Sequence, residues 1–187
     1  MTSASKDPLV WIDCEMTGLD AETESIMSVA CFVTDHDLNL LDENGYEATI
    51  HHSKERLEAM DEWCVKHHGD SGLTRACIAS STSAEEAAVG LLAYIKTHVS
   101  RPRTALLAGN SVHADKSFLV KGPWAGVVGW LHYRILDVSA IKEAARRWAG
   151  AEVLGRVPRK LLRHEARADV LESIEEARFY RDAFFRR

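Results

Sequence analysis

The sequence predicts an α/β protein with a mixed five-stranded central sheet, three antiparallel strands followed by two parallel ones, covered by helices. Three observations lead there. Three apolar runs with short connections occupy the N-terminal part, as in an antiparallel meander. Two further apolar runs alternate with helical patterns in the second half, as in parallel strands with crossover helices. The chain has 187 residues and is 46% hydrophobic, enough for one sizeable core. The expectation is a single domain over 1–187, with 1–7 as a flexible N-terminus.

Leu9-Val10-Trp11-Ile12 reads as a buried strand that ends at Asp13-Cys14-Glu15, before a turn around Gly18. Ile26 to Val33 is the second strand. Tyr46, Ala48 and Ile50 alternate with polar residues, which fits a half-exposed third strand. Two helices are expected next. The first starts near Ser53 and places Leu57, Met60 and Cys64 on one face; the second follows the capping-box pattern Ser83 with Glu86. Ala105 to Ala108 and Arg134 to Leu136 are strands four and five. The fifth leads into a helix over Ala140 to Ala149 that Ser139 can cap, and a long helix from Ala166 to Phe185 closes the chain. Gly122 to Gly129 and Gly150 to Lys160 are expected to be loops.

The 23 basic and 28 acidic residues leave a net charge of −5, which excludes a globally basic surface for gripping a long polyanion. Cysteines 14, 31, 64 and 77 are widely spaced, with no zinc-knuckle or redox pair, and are expected to be reduced and buried. Residues Met1 to Pro8 show no targeting segment, and no apolar run reaches membrane-spanning length. The compartment is expected to be cytoplasmic or mitochondrial.

Asp13 and Glu15, two apart on a strand, put both carboxylates on one face, close enough to share a cation. About one Asp-x-Glu is expected by chance in a chain this acidic, and Asp20-Ala21-Glu22 is another. Context separates them: Asp13 follows four apolar residues, whereas Asp20 and Glu22 lie in a polar stretch. Asp115 lies at a strand-to-helix junction, where α/β sheets gather ligands and where a plain helix-starting Asp is also common. His164 and Asp169 differ by about 140° on a continuous helix, so they share a site only if His164 lies on the loop before it. His132 and Asp137 repeat that spacing, and the residues alone do not choose between the pairs.

Taken in order, Trp11-Ile12-Asp13-Cys14-Glu15-Met16-Thr17-Gly18-Leu19, Gly109-Asn110-Ser111 with Asp115, His132-Tyr133-Arg134 with Leu136-Asp137-Val138-Ser139, and His164 with Asp169 resemble the oligoribonuclease family. Met60-Asp61-Glu62-Trp63, Ser71-Gly72-Leu73 and Glu172-Ser173-Ile174 extend the likeness over nearly the whole chain. The resemblance implies a ribonuclease H-like fold and 3′→5′ hydrolysis of very short RNA, especially dinucleotides, to 5′-mononucleotides. It implies two Mg2+ or Mn2+ ions held by Asp13, Glu15, Asp115 and Asp169, with His164 as general base. Leu19 is implied as a wedge against the bases and Trp63 as a stacking surface. His68, Ser111, Arg134 and Ser139 are implied as contacts capping the 5′-phosphate. Tyr133 and Arg134 are implied to reach a neighbouring subunit's site, which makes the chain a homodimer. Ala140 and the glycine-rich 122–129 segment depart from the pattern, and 151–163 matches it least. Two rivals are an exonuclease of DNA or longer RNA, against which the cap residues argue, and a catalytically dead binding module, which the complete acid set disfavours.

Overall fold

The computed structural model describes residues 7–158 and 165–185. Its strands are β1 (Leu9–Met16), β2 (Ile26–Thr34), β3 (Tyr46–Thr49), β4 (Leu106–Gly109) and β5 (His132–Asp137). They form one sheet in the order β3-β2-β1-β4-β5. The β1–β2 and β2–β3 pairs are antiparallel and the β1–β4 and β4–β5 pairs parallel, as the sequence predicts. Six residues of the segment expected to be flexible, 1–6, lie outside the described residues, as do 159–164 with His164.

The helices are α1 (Lys54–Glu58), α2 (Glu62–Asp70), α3 (Leu73–Ala79), α4 (Ala84–His98), α5 (His113–Leu119), α6 (Ala125–Trp130), α7 (Val138–Trp148), α8 (Ala151–Leu154) and α9 (Ala166–Tyr180). Alternation along β1 divides the core in two. Val10, Ile12 and Cys14 face Leu91 and Ile95 of α4, Leu119 of α5 and Val127 of α6. On the opposite face, Trp11, Ala30 and Phe32 meet Val170, Ile174 and Ala177 of α9 and Val138 and Ala145 of α7. Each fully buried large side chain contributes about 1.5–3 kcal/mol of transfer free energy, so α9 is held firmly over the face that carries Asp13 and Glu15. All four cysteines are free and buried, and burial raises the pKa of Cys14 and Cys31 well above the ordinary thiol value.

Six local expectations are corrected. β1 continues through Asp13 and Glu15 to Met16, because these residues pair with Ala30 and Ser28 of β2; the acids sit inside the strand. The stretch from Ser53 is three short helices rather than one. Ser53 caps α1 by accepting from the Arg56 N–H at 3.2 Å, and Asp61 caps α2 by accepting from the Cys64 N–H at 3.0 Å. Leu57, Met60 and Cys64 share a face because all pack with Cys77 around Met27. The 122–129 segment is a 3-10 turn (Gly122–Trp124) running into α6, with the helix-breaking tendency of its glycines outweighed by burial of Trp124 and Val127. The stretch from Gly150 contains α8. α7 begins at Val138, capped by Asp137, which accepts from the Ser139 N–H at 3.0 Å; the Ser139 hydroxyl is thereby left for another duty. α9 ends at Tyr180 and gives way to a π-type turn, Arg181–Phe185.

Candidate active site

Asp13 and Glu15 project from β1 towards α9, whose first turn carries Asp169. One carboxylate oxygen from each of the three lies within 4.8 Å of the others. Asp115, in the first turn of α5, is buried alongside, and its Oδ1 accepts from the Cys14 N–H at 2.9 Å, between the two β1 acids. Burial, and then Asp169 and Asp115, push the Glu15 carboxyl up to about 8. Burial likewise raises Asp115 to about 7, against the opposing hydrogen bond from Cys14. Bringing several carboxylates into a partly desolvated space is costly unless they hold protons or a cation. The donor set is all hard oxygen, which fits Mg2+ or Mn2+ and not a sulfur- or histidine-seeking metal. The decoys resolve: Asp20 and Glu22 are exposed, with Asp20 Oδ1 accepting from the Glu22 N–H in a loop. His164, the predicted base, lies outside the described residues, which resume at Glu165, the residue before α9.

On one side of Glu15, a cleft of about 390 Å3 is lined also by Ser28, Glu47, Ser71, Leu73 and Arg167. That lies in the small-ligand range, roughly 300–1,000 Å3. Leu19 is 91% exposed, and Trp63 on α2 is half exposed with its ring stacked on His67 at 3.9 Å. Neither belongs to the core. The Leu19 loop is fastened from below. The Arg56 guanidinium pairs with Glu24 and donates to Thr17 Oγ1 at 2.9 Å, and the Thr17 hydroxyl accepts from the Ser25 N–H at 3.0 Å. A Cβ on Gly18 would come within 2.9 Å of Glu24 Cγ, so the loop needs glycine there. His68 differs from its neighbours: only 2% exposed, it sets Nε2 against the Met16 carbonyl at 2.9 Å and Nδ1 4.0 Å from Glu15. It lies against the floor of the acid cluster.

Ser111 and Ser139 come together at the carboxyl ends of β4 and β5. Ser111 has φ +50°, a strained conformation for serine. It is held by donating its N–H to Asp137 Oδ1 at 2.9 Å and Ser139 Oγ at 3.0 Å, while its hydroxyl donates to Ser139 Oγ at 3.1 Å. Tyr133 is 71% exposed near the opposite end of β5, its ring stacked on His132, with the Arg134 guanidinium 5.2 Å over it. Tyr133 and Asp137 are four steps apart along β5, about 13 Å at 3.3 Å per residue.

Asp137, to which the sequence assigns no duty at the site, caps α7 and fixes the Ser111 backbone. A helix-starting acid directly before a helical stretch was the available signal. Asn110, Ser173 and Glu176, to which the sequence assigns no role, connect the serine pair to α9. Their signal was polar residues at buried positions: Ser173 and Glu176 are 3% and 1% exposed.

An exonuclease family model matches residues 10–177. The probable oligoribonuclease of Schizosaccharomyces pombe is 45% identical over 179 residues, covering 94% of this chain and 68% of that protein. The chain belongs to the oligoribonuclease family. The mitochondrial oligoribonuclease of Homo sapiens is 44% identical, covering 96% of this chain and 74% of that protein, and the oligoribonuclease of Mycobacterium avium is 45% identical, covering 96% and 82%. A solved structure of exonuclease I superimposes with a TM-score of 0.72 at 13% identity, covering 95% of this chain and 41% of that one. That likeness is one of fold, ribonuclease H-like with three antiparallel and two parallel strands, and this chain spans about two fifths of the neighbour. Family and fold together make this member of the oligoribonuclease family a nuclease, hydrolysing phosphodiesters. No helix among the described residues is long and apolar enough to cross a membrane.

Proposed function

We propose that this oligoribonuclease-family chain is a 3′→5′ exoribonuclease of very short RNAs, dinucleotides above all, working as a homodimer with two divalent cations and His164 as general base. The observation that carries it is the convergence of Asp13, Glu15 and Asp169 within 4.8 Å, with buried Asp115 beside them. These four carboxylates would hold Mg2+ or Mn2+. When bound, such ions supply Lewis-acid stabilisation of the negative charge on the attacking and leaving oxygens.

The chain's own groups do the rest. His164 takes a proton from the water that attacks the terminal phosphodiester in line. The P–O3′ bond breaks, the 3′-oxygen takes a proton from solvent and stays on the shortened RNA as a hydroxyl, and a nucleoside 5′-monophosphate leaves. Leu19 and Trp63 flank the bases, offering apolar faces at low entropic cost. Ser111, Ser139 and Arg134 engage the 5′-phosphate, so that a substrate longer than the cleft loses contacts instead of gaining them; His68, the fourth contact the resemblance implies, is 2% exposed and backs Glu15 from below instead. Tyr133 and Arg134 reach the partner's site. The net charge of −5 is compatible with this, because a substrate with one or two phosphates needs directed donors more than long-range steering.

A short 5′-labelled RNA incubated with Mg2+ is expected to shorten stepwise from its 3′ end, releasing 5′-monophosphates, and to stop on chelation. Internal fragments, 3′-phosphate products or chelator-resistant cleavage would contradict the reading.

A further inference from the structure

A directional hydrogen-bond chain crosses the molecule from the Ser111–Ser139 pair to the turn of α9 that carries Asp169. The Ser111 hydroxyl donates to Ser139 Oγ at 3.1 Å, and Ser139 donates to Asn110 Oδ1 at 3.0 Å. The amide of Asn110 donates in turn to Ser173 Oγ at 2.8 Å, and the Ser173 hydroxyl donates to the Asp169 carbonyl at 2.7 Å. Every link uses a hydroxyl or amide both as acceptor and as donor, the arrangement in which hydrogen bonds polarise one another. Asn110 also donates to Glu176 Oε2 at 3.1 Å, and Glu176, 1% exposed, accepts from the Tyr180 hydroxyl at 3.3 Å with Lys142 Nζ 3.6 Å away. This side branch anchors the amide so that its carbonyl faces Ser139 and its NH2 faces α9.

We infer that Asn110 and Ser173 are positioning residues that couple the binding of a 5′-phosphate at Ser111 and Ser139 to the placement of Asp169, making the 5′-phosphate an activator of the chemical step as well as a handle for binding. The inference rests on the reading of Ser111 and Ser139 as 5′-phosphate contacts. A phosphate oxygen accepting from either serine hydroxyl redirects that proton away from its present acceptor. Asn110 is held in place by Glu176, so the change reaches Ser173 as a weaker or stronger polarisation of the amide rather than as a rotation, and passes from the Ser173 hydroxyl to the backbone carbonyl of Asp169. Ser173 is 3% exposed and lies among α9 residues that pack on the sheet, so it is too deep to touch the phosphate itself. It therefore separates coupling from binding.

The test compares kcat and KM for a dinucleotide with and without its 5′-phosphate, in the wild type, in Ser173→Ala and in Ser173→Thr, with thermal melts to check folding. In the wild type the 5′-phosphate is expected to raise kcat and lower KM. Ser173→Ala is expected to lose roughly tenfold of the kcat advantage, equal to about 1.4 kcal/mol, while keeping its KM advantage. Ser173→Thr, which retains the hydroxyl, should restore the advantage. An undiminished kcat ratio in folded Ser173→Ala overturns the coupling while leaving the phosphate contact intact. A wild type indifferent to the 5′-phosphate in both parameters overturns the contact itself and the coupling with it. If Ser173→Ala does not fold, Asn110→Ser, which shortens the bridging side chain, carries the same comparison: loss of the kcat ratio supports the coupling and its retention refutes it.

Discussion

Asp13→Asn is expected to remove divalent-cation-dependent RNA hydrolysis, by about 10²–10³-fold or more on the scale of a lost charge-stabilising group, with the fold intact. The structural reason is that the side chain lies on the sheet face beneath α9 and takes no part in the apolar packing of either core cluster. Glu15→Gln should behave alike in activity and adds a pH signature. The Glu15 carboxyl is raised from 4.5 to about 8 in the folded chain by burial and by Asp169 and Asp115. Between those values the folded protein binds a proton that the unfolded chain has released, so metal-free stability falls as pH rises through the window. Glu15→Gln lacks that slope. Metal-free Glu15→Gln should melt above the wild type at about pH 8.5 and converge with it at about pH 4.5, and Mg2+ should raise only the wild-type melting temperature appreciably at the higher pH. Full activity in Asp13→Asn would contradict the metal assignment, and parallel metal-free melting curves for Glu15→Gln and the wild type would contradict the raised Glu15 carboxyl.

In the homodimer proposed above, Tyr133→Ala is expected to cripple hydrolysis while leaving the two subunits associated. Its ring is 71% exposed and lies near the start of β5, whereas Ser111 and Asp137 mark the other end of the parallel strands. A side chain at that distance serves a site more readily on a second copy than on its own. Subunit mixing makes the point quantitative. Asp13→Asn supplies an intact Tyr133 but dead acids, and Tyr133→Ala supplies intact acids. An equal mixture should regain about a quarter of wild-type activity, because half the dimers are mixed and each has one complete site. Each variant alone should stay inactive. No recovery on mixing, or full activity of Tyr133→Ala, would contradict a shared site.

Much of the sheet could be read in the sequence because four strands carry apolar runs and the third alternates, and the antiparallel and parallel parts followed from short connections early and helical crossovers late. What could not be read was where periodicity came from. Leu57, Met60 and Cys64 looked like one helix because they converge on Met27, but Asp61 caps a new helix between them. Gly126 and Gly129 looked like loop residues because local propensity carries no record of Trp124 and Val127 finding the core. At the site, residues 13 and 169 meet only because α9 packs on Trp11, Ala30 and Phe32, a long-range event that spacing does not encode. Family resemblance therefore had to choose among the decoys. The Asn110–Ser173 bridge was invisible for the same reason: its partners are 63 residues apart in sequence.

Substrate length tests the proposed function most directly. A 5′-phosphorylated RNA dinucleotide and an RNA of roughly twenty nucleotides, whose extra phosphates would favour a long electropositive groove, should be compared at equal concentration, with Mg2+ and with chelator. The dinucleotide should be cleaved much faster, and chelator should stop both reactions. A dinucleotide cleaved no faster than the long RNA would contradict a site built for the shortest RNAs.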